Sequence, residues 1–160
     1  MENWHEIQAK LAKLFKTTKT KRFLLLRAWN GYETPRYTTA IVQFREGEIE
    51  YSDYVHFELD ADYVEKLQTV RRRKFLRVDA SKETDSAIGT VYRSETPPVM
   101  HSNWYHISDE RVDENRVIVT YCSFGTSEPE PFTEAEEIKH RLIVNLIAQT
   151  FDGQTHISIA

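Results

Sequence analysis

Five positive charges fall within seven consecutive residues, Arg71, Arg72, Arg73, Lys74 and Arg77, in a chain whose formal net charge is −4. Charge that dense is solvated, paired with carboxylates, or matched to a partner's negative charge. Guanidinium groups fork onto phosphate or carboxylate oxygens. If the segment is an extended strand, Arg71, Arg73, Phe75 and Arg77 share one side, and the ring between the arginines offers a stacking surface for a base. Lys13, Lys16 and Lys19, with Lys10, Lys21 and Arg22, widen the patch if the first helix packs nearby. The competing reading pairs the arginines internally with Glu48, Glu50, Asp53 or Glu58.

Other residues with chemical potential converge less well. His101 and His106 lie five apart, with Cys122 on the expected neighbouring strand, but zinc sites are built from three or four converging ligands and usually show a closer pair. No metal is expected. Cys122 follows Val117-Ile118-Val119-Thr120-Tyr121, where a lone cysteine behaves as a small buried hydrophobe rather than a thiolate nucleophile. The chain contains no G-x-S-x-G, phosphate-binding loop, G-x-G-x-x-G or H-E-x-x-H pattern. No catalytic residue and no cofactor is assigned, and the reading inclines against an enzyme. Trp29, Tyr32, Trp104 and Tyr105 sit beside Gly and Pro breaks and are candidate aromatic contacts. Glu128, Glu130, Glu134, Glu136 and Glu137 make an acidic cluster, which helix-start preferences account for.

Charge is segregated along the chain. Residues 1–27 carry seven Lys or Arg against two Glu, whereas residues 78–160 carry six against fourteen acidic groups. That layout gives the molecule a dipole able to orient it toward a charged partner. With 160 residues and 19 aromatics, the chain has enough large side chains for one well-filled core, so 1–160 is read as a single domain. The single cysteine, the polar start and the absence of any long apolar run point to a cytoplasmic protein with no membrane association.

The elements that must position these groups follow from periodicity. Trp4, Ile7, Leu11, Leu14 and Phe15 recur at helical spacing over 3–16. Strands are expected at 22–29, 37–45 and 48–59, the latter two forming a hairpin about Glu46-Gly47, with Ile49, Tyr51, Val55, Phe57 and Leu59 on one face and Asp53 interrupting it. Asp60 is the N-cap of a short helix reaching about Val70, and a strand follows over 74–79. A further short strand is expected at 87–93, then a hairpin of 103–108 with 115–124. Thr133 and Glu136 form a capping box opening a helix over 133–151, whose buried stripe is Ala135, Ile138, Leu142, Leu146 and Ile147. Gly153 ends it, and 156–159 is expected as an edge strand.

The fold class is therefore α+β: a mostly antiparallel sheet of about six to eight strands, an N-terminal helix, a short middle helix, and a long C-terminal helix packed on one face. The function expected is a non-catalytic binding protein, a regulator or inhibitor acting through a protein or nucleoprotein partner. Two alternatives stand beside it. One is a nucleic-acid-binding module using Arg71–Arg77. The other is a small-ligand carrier or enzyme with a cavity under the C-terminal helix.

Overall fold

Strand β1 (Arg22–Trp29) has apolar residues on both faces and is therefore central. Phe23 and Leu25 enter a core beneath helices α1 (Glu2–Thr17) and α4 (Glu134–Ile159). Leu24, Leu26 and Ala28 enter a second core beneath α2 (Ala61–Arg73) and α3 (Ala87–Ser94). The sheet is thus covered on each side by a pair of helices. The structure is a computed structural model and describes residues 2–29, 35–45, 48–50 and 57–159.

Six strands complete the described sheet: β2 (Tyr37–Arg45), β3 (Glu48–Glu50), β4 (Phe57–Glu58), β5 (Phe75–Asp79), β6 (His101–Arg111) and β7 (Val117–Thr126). Their order is β3-β2-β1-β7-β6-β5, with β4 also pairing β2, and every pair is antiparallel. Register breaks occur at Leu25/Leu26 against β2 and at His106/Ser108 against β7. Such breaks increase local twist and bend the sheet. Among the described residues, no helix is long and apolar enough to cross a membrane.

The expected α+β architecture is the observed one, and the N- and C-terminal helices share a face. Three local expectations fail. Residues 87–93 are helix α3 rather than a strand. Ser86 caps it by accepting from the Gly89 amide at 3.1 Å, and the Ala87 amide donates to Asp60 Oδ2 at 2.9 Å. Asp60 also caps α2 through Oδ1 and the Tyr63 amide at 2.8 Å, so one carboxylate ties together the starts of two helices. Lys66 continues that tie, reaching Glu83 at 2.7 Å.

The second failure is at the chain's end, where α4 runs through Gly153 to Ile159, so 156–159 is helix and not an edge strand. The third is the face α4 buries. Ala135 is exposed, Ile138 is 56% exposed and Leu142 63%, while Glu137, His140, Ile143, Val144 and Ile147 are buried. The inward face carries polar groups with specific partners, which a purely apolar stripe cannot reveal. Turn residues Asn30, Gly31, Glu46 and Gly47, and Tyr51, Asp53 and Val55, lie outside the described residues.

Candidate functional site

The basic segment does not form a continuous strand. Arg71, Arg72 and Arg73 are the last turn of α2, where cations complement the helix dipole, and Lys74 is its left-handed C-cap with φ 69°. Only Arg77 lies in a strand, so the alternation that would gather the arginines on one side does not occur. Arg71 pairs with Asp109 at 3.2 Å and donates to Gln68 at 2.9 Å. Arg77 grips Glu137 with two bonds of 2.8 and 2.7 Å and lies over the Phe75 ring. That pairing holds the Glu137 carboxyl below the usual carboxylate range. Lys74 Nζ is 3.4 Å from His106 Nδ1, and Arg72 and Arg73 are exposed.

Lys19 is likewise paired, with Glu136 at 2.8 Å. Lys13 and Lys16 are exposed on α1, which covers the opposite side of the sheet from α2. The two basic groups are therefore not joined through a shared helical layer. Among the described residues the carboxylates that engage these basic groups are Asp109, Glu136 and Glu137, distant in sequence; Glu58 pairs with Arg36 instead, and the side chains of Glu48, Glu50 and Asp53 lie outside the description. Trp104 and Tyr105 are not surface aromatics open to a macromolecular partner: both are buried, Trp104 in the α2/α3 core and Tyr105 in the α1/α4 core. Trp29 is half-buried, packs on Tyr37 and donates to Thr39 at 3.1 Å. Tyr32 lies outside the described residues.

The histidines and the cysteine stay apart. His101 bonds the Pro129 carbonyl oxygen at 2.8 Å, and His106 bonds Asp109 at 2.8 Å. Cys122 is fully buried, and burial pushes its thiol pKa up. Among the described residues no group of three or more His, Cys, Asp or Glu is placed to hold a metal ion.

A cleft does open between the sheet and helices α2 and α3. Leu24, Leu26 and Ser123 face it from the sheet, Tyr63 from α2, Ile88, Val91 and Tyr92 from α3, and Trp104 from β6. Its walls are held by hydroxyl bonds. Tyr63 and Tyr121 meet at 2.5 Å, Tyr121 meets Thr38 at 2.7 Å, and Tyr92 meets Ser102 at 2.6 Å. The Trp104 indole N–H donates to Tyr92 and Ser102, both at 3.1 Å. Burial raises the Tyr63 and Tyr121 pKa values well above that of a free phenol, so both stay protonated donors. The cavity is about 30 Å³, enough for a water and little more.

Arg22 stands at one end of this cleft. It is 6% exposed, its guanidinium carbon lies 5.3 Å from the Tyr92 ring centre, and its Nη2 is 3.7 Å from Glu95 Oε1, beyond hydrogen-bond distance. Its Nε and Nη1 are buried with no hydrogen-bond partner among the described residues. A buried donor left unpaired costs about 1–3 kcal/mol, more when charged, and such groups are scarce in native proteins. Arg45, directly opposite on β2, also binds Glu95. Arg22 was legible only as one more surface cation. The available signal is its phase, since it precedes Leu24 and Leu26 at alternate positions on a strand whose one other charged residue is Arg27.

No protein-family model matches the chain, and no curated protein matches it. Solved structures do. A far-red cyanobacteriochrome photoreceptor aligns with TM-score 0.56 and 13% identity over 94% of this chain and 86% of that one. The phycocyanobilin-bound GAF domain from a cyanobacterial phytochrome aligns with TM-score 0.57 and 15% identity over 99% and 88%. The fold is GAF-like. At such identities the likeness is one of fold alone.

That likeness, with the dispersal of the basic segment, overturns the expected regulator or inhibitor acting on a protein or nucleoprotein, and the nucleic-acid-binding module with it. The chain shares its fold with photoreceptor domains, one of them holding a bound small molecule. The small-ligand alternative is the better supported, but its location changes. The cleft lies beneath α2 and α3, on the face of the sheet opposite the C-terminal helix.

Proposed function

We propose that this chain is a small-ligand-binding domain whose ligand enters between the sheet and helices α2 and α3. The carrying observation is the apolar cleft there, walled by Leu24, Tyr63, Tyr92 and Trp104 and closed by a hydroxyl network. The solved phycocyanobilin-bound GAF domain of similar fold supports the reading. The cleft by itself does not hold a ligand of that size. Sites for drug-sized molecules run to about 300–1,000 Å³, whereas this cleft offers about 30 Å³. Nor is the ligand attached through sulfur, because the chain's one cysteine, Cys122, faces the opposite core.

Native mass spectrometry of the purified protein, with ligand-observed NMR against small aromatic and aliphatic probes, tests this. A retained mass or bound probes are expected, with binding lost in Val91→Trp, which fills the cleft from α3 while the far-ultraviolet spectrum stays unchanged. No added mass, together with probe binding indifferent to Val91→Trp, refutes it.

A further inference from the structure

Resting on the reading of the cleft as a ligand site, we infer that Arg22 anchors a small monoanionic organic ligand, a carboxylate, where the cleft meets a larger outer groove. Arg22 lines both spaces. The outer groove holds about 500 Å³, within the range of small-molecule sites, and runs along Pro97, Val99 and Thr126. The cleft alone admits little beyond a water, so the ligand reaches from the cleft into the groove, and its charged end meets the guanidinium where the two spaces join once the Arg22 side chain turns its covered Nε or Nη1 toward it.

Three observations select a carboxylate. First, Nε and Nη1 are buried and unpartnered among the described residues, and each belongs to one of the two forked edges of the guanidinium, Nε–Nη2 and Nη1–Nη2. A planar carboxylate fits either edge with two parallel bonds. Second, the guanidinium is already in place: it lies over the Tyr92 ring, and its nearest carboxylate oxygen, on Glu95, is 3.7 Å away. Third, Arg22 competes for its carboxylate. The groove is lined by the cations Lys21, Arg22 and Arg45 and the carboxylates Glu95 and Glu128. Glu95 is shared between Arg22 and Arg45, so one buried carboxylate serves two arginines. Shared in that way, Glu95 leaves Arg22 only a loose ion pair, and a buried cation so loosely matched is the arrangement folded proteins avoid.

The probes are sodium benzoate and its neutral counterpart benzamide, titrated at constant ionic strength into wild type, Arg22→Gln and Arg22→Lys, and read by ligand-observed NMR and melting temperature. Benzoate is expected to bind wild type at least about tenfold tighter than benzamide, since hydrogen bonds to charged groups exceed neutral ones by that order. Arg22→Gln abolishes the preference and Arg22→Lys keeps part of it. Equal binding of the two probes, unchanged in Arg22→Gln, overturns the anchor and leaves the cleft reading intact. No binding of either probe, with no retained mass, overturns both. A higher melting temperature in Arg22→Gln with no benzoate response also overturns the anchor and reduces Arg22 to a structural partner of Glu95. Should Arg22→Gln fail to fold, the benzoate-to-benzamide ratio in wild type decides alone, and a ratio near one overturns the inference.

Discussion

Acidification through the histidine range should destabilise this protein chiefly through one residue, His140. The ring is fully buried on α4, stacked on Phe124 at 4.1 Å and edge-on to Phe132, with Nε2 2.9 Å from the Thr20 hydroxyl and Nδ1 3.4 Å from the Tyr105 hydroxyl. Burial pulls its pKa down from 6.5 to about 3, against a weaker upward pull from the carboxylates of Glu136 and Glu137. The folded state therefore holds the neutral imidazole, while the unfolded chain takes up a proton as pH falls below about 6.5. Stability is full above that value and declines until pH approaches 3. One pKa unit corresponds to about 1.4 kcal/mol, so between pH 7 and pH 5 this group alone removes about 2 kcal/mol. Glu136, held down to about 2 by burial-opposed bonds from Lys19 and Thr133, loses its contribution only below about pH 4.5. The interval from 6.5 to 4.5 thus isolates the histidine from it. Urea unfolding of wild type and His140→Gln at pH 7 and pH 5 measures the effect. The difference between the two pH values should shrink by about 2 kcal/mol in the variant, whatever its absolute stability. A change below about 0.5 kcal/mol, or an NMR titration placing the native His140 near 6.5, would refute the reasoning.

Asp60→Ala removes the α2 cap and the bond to the first amide of α3 at once and should cost about 2–3 kcal/mol in urea unfolding, against about 1 kcal/mol for an ordinary single cap. Gly89→Ala drives a methyl into the Glu83 carbonyl oxygen, pushing α3 off its seat. A loss of about 1–3 kcal/mol is expected, with weaker probe binding in the cleft. Glu137→Gln keeps the shape but discards the charge facing Arg77, and because Arg77 is largely exposed the cost should stay near 1 kcal/mol and fall with added salt. Cys122 should react with a thiol reagent only at the rate of unfolding; prompt labelling of the native protein would contradict its burial.

Most of the scaffold was legible because its signals are local. The continuous apolar run of 22–29, the Asp60 cap and the Thr133–Glu136 capping box each appear in the structure where the sequence placed them. Residues 87–93 misled because Ile88, Thr90 and Val91 favour strands by propensity. The caps from Ser86 and Asp60 and the burial of Ile88 and Tyr92, four apart, decide for helix. The stripe of α4 misled for a related reason, since Glu137 and His140 are buried only because Arg77, Asn103 and Thr20 meet them from distant segments. The site was least legible of all. A charged residue at a strand start reads as surface, and only the phase it shares with Leu24 and Leu26 sets Arg22 apart from Lys21.

The size of the cleft follows from the same residues that make it polar at its edges. Tyr63, Tyr92, Trp104 and Tyr121 occupy the space between the sheet and the helices, and their hydroxyl and indole groups satisfy one another rather than a guest. Such a network is rigid, because each ring that moves leaves a buried polar group unpaired. Room for a ligand is therefore gained where the network ends, and it ends at Arg22, whose Nε and Nη1 have no hydrogen-bond partner among the described residues. Enlarging the cleft by Trp104→Phe removes the indole donor and leaves a partly filled cavity, costing about 1–3 kcal/mol of stability. If the guest enters from the outer groove, as the Arg22 geometry requires, that variant should bind benzoate with nearly wild-type affinity. Marked tightening in Trp104→Phe would mean instead that the aromatic cluster, and not the arginine end, sets what the domain accepts.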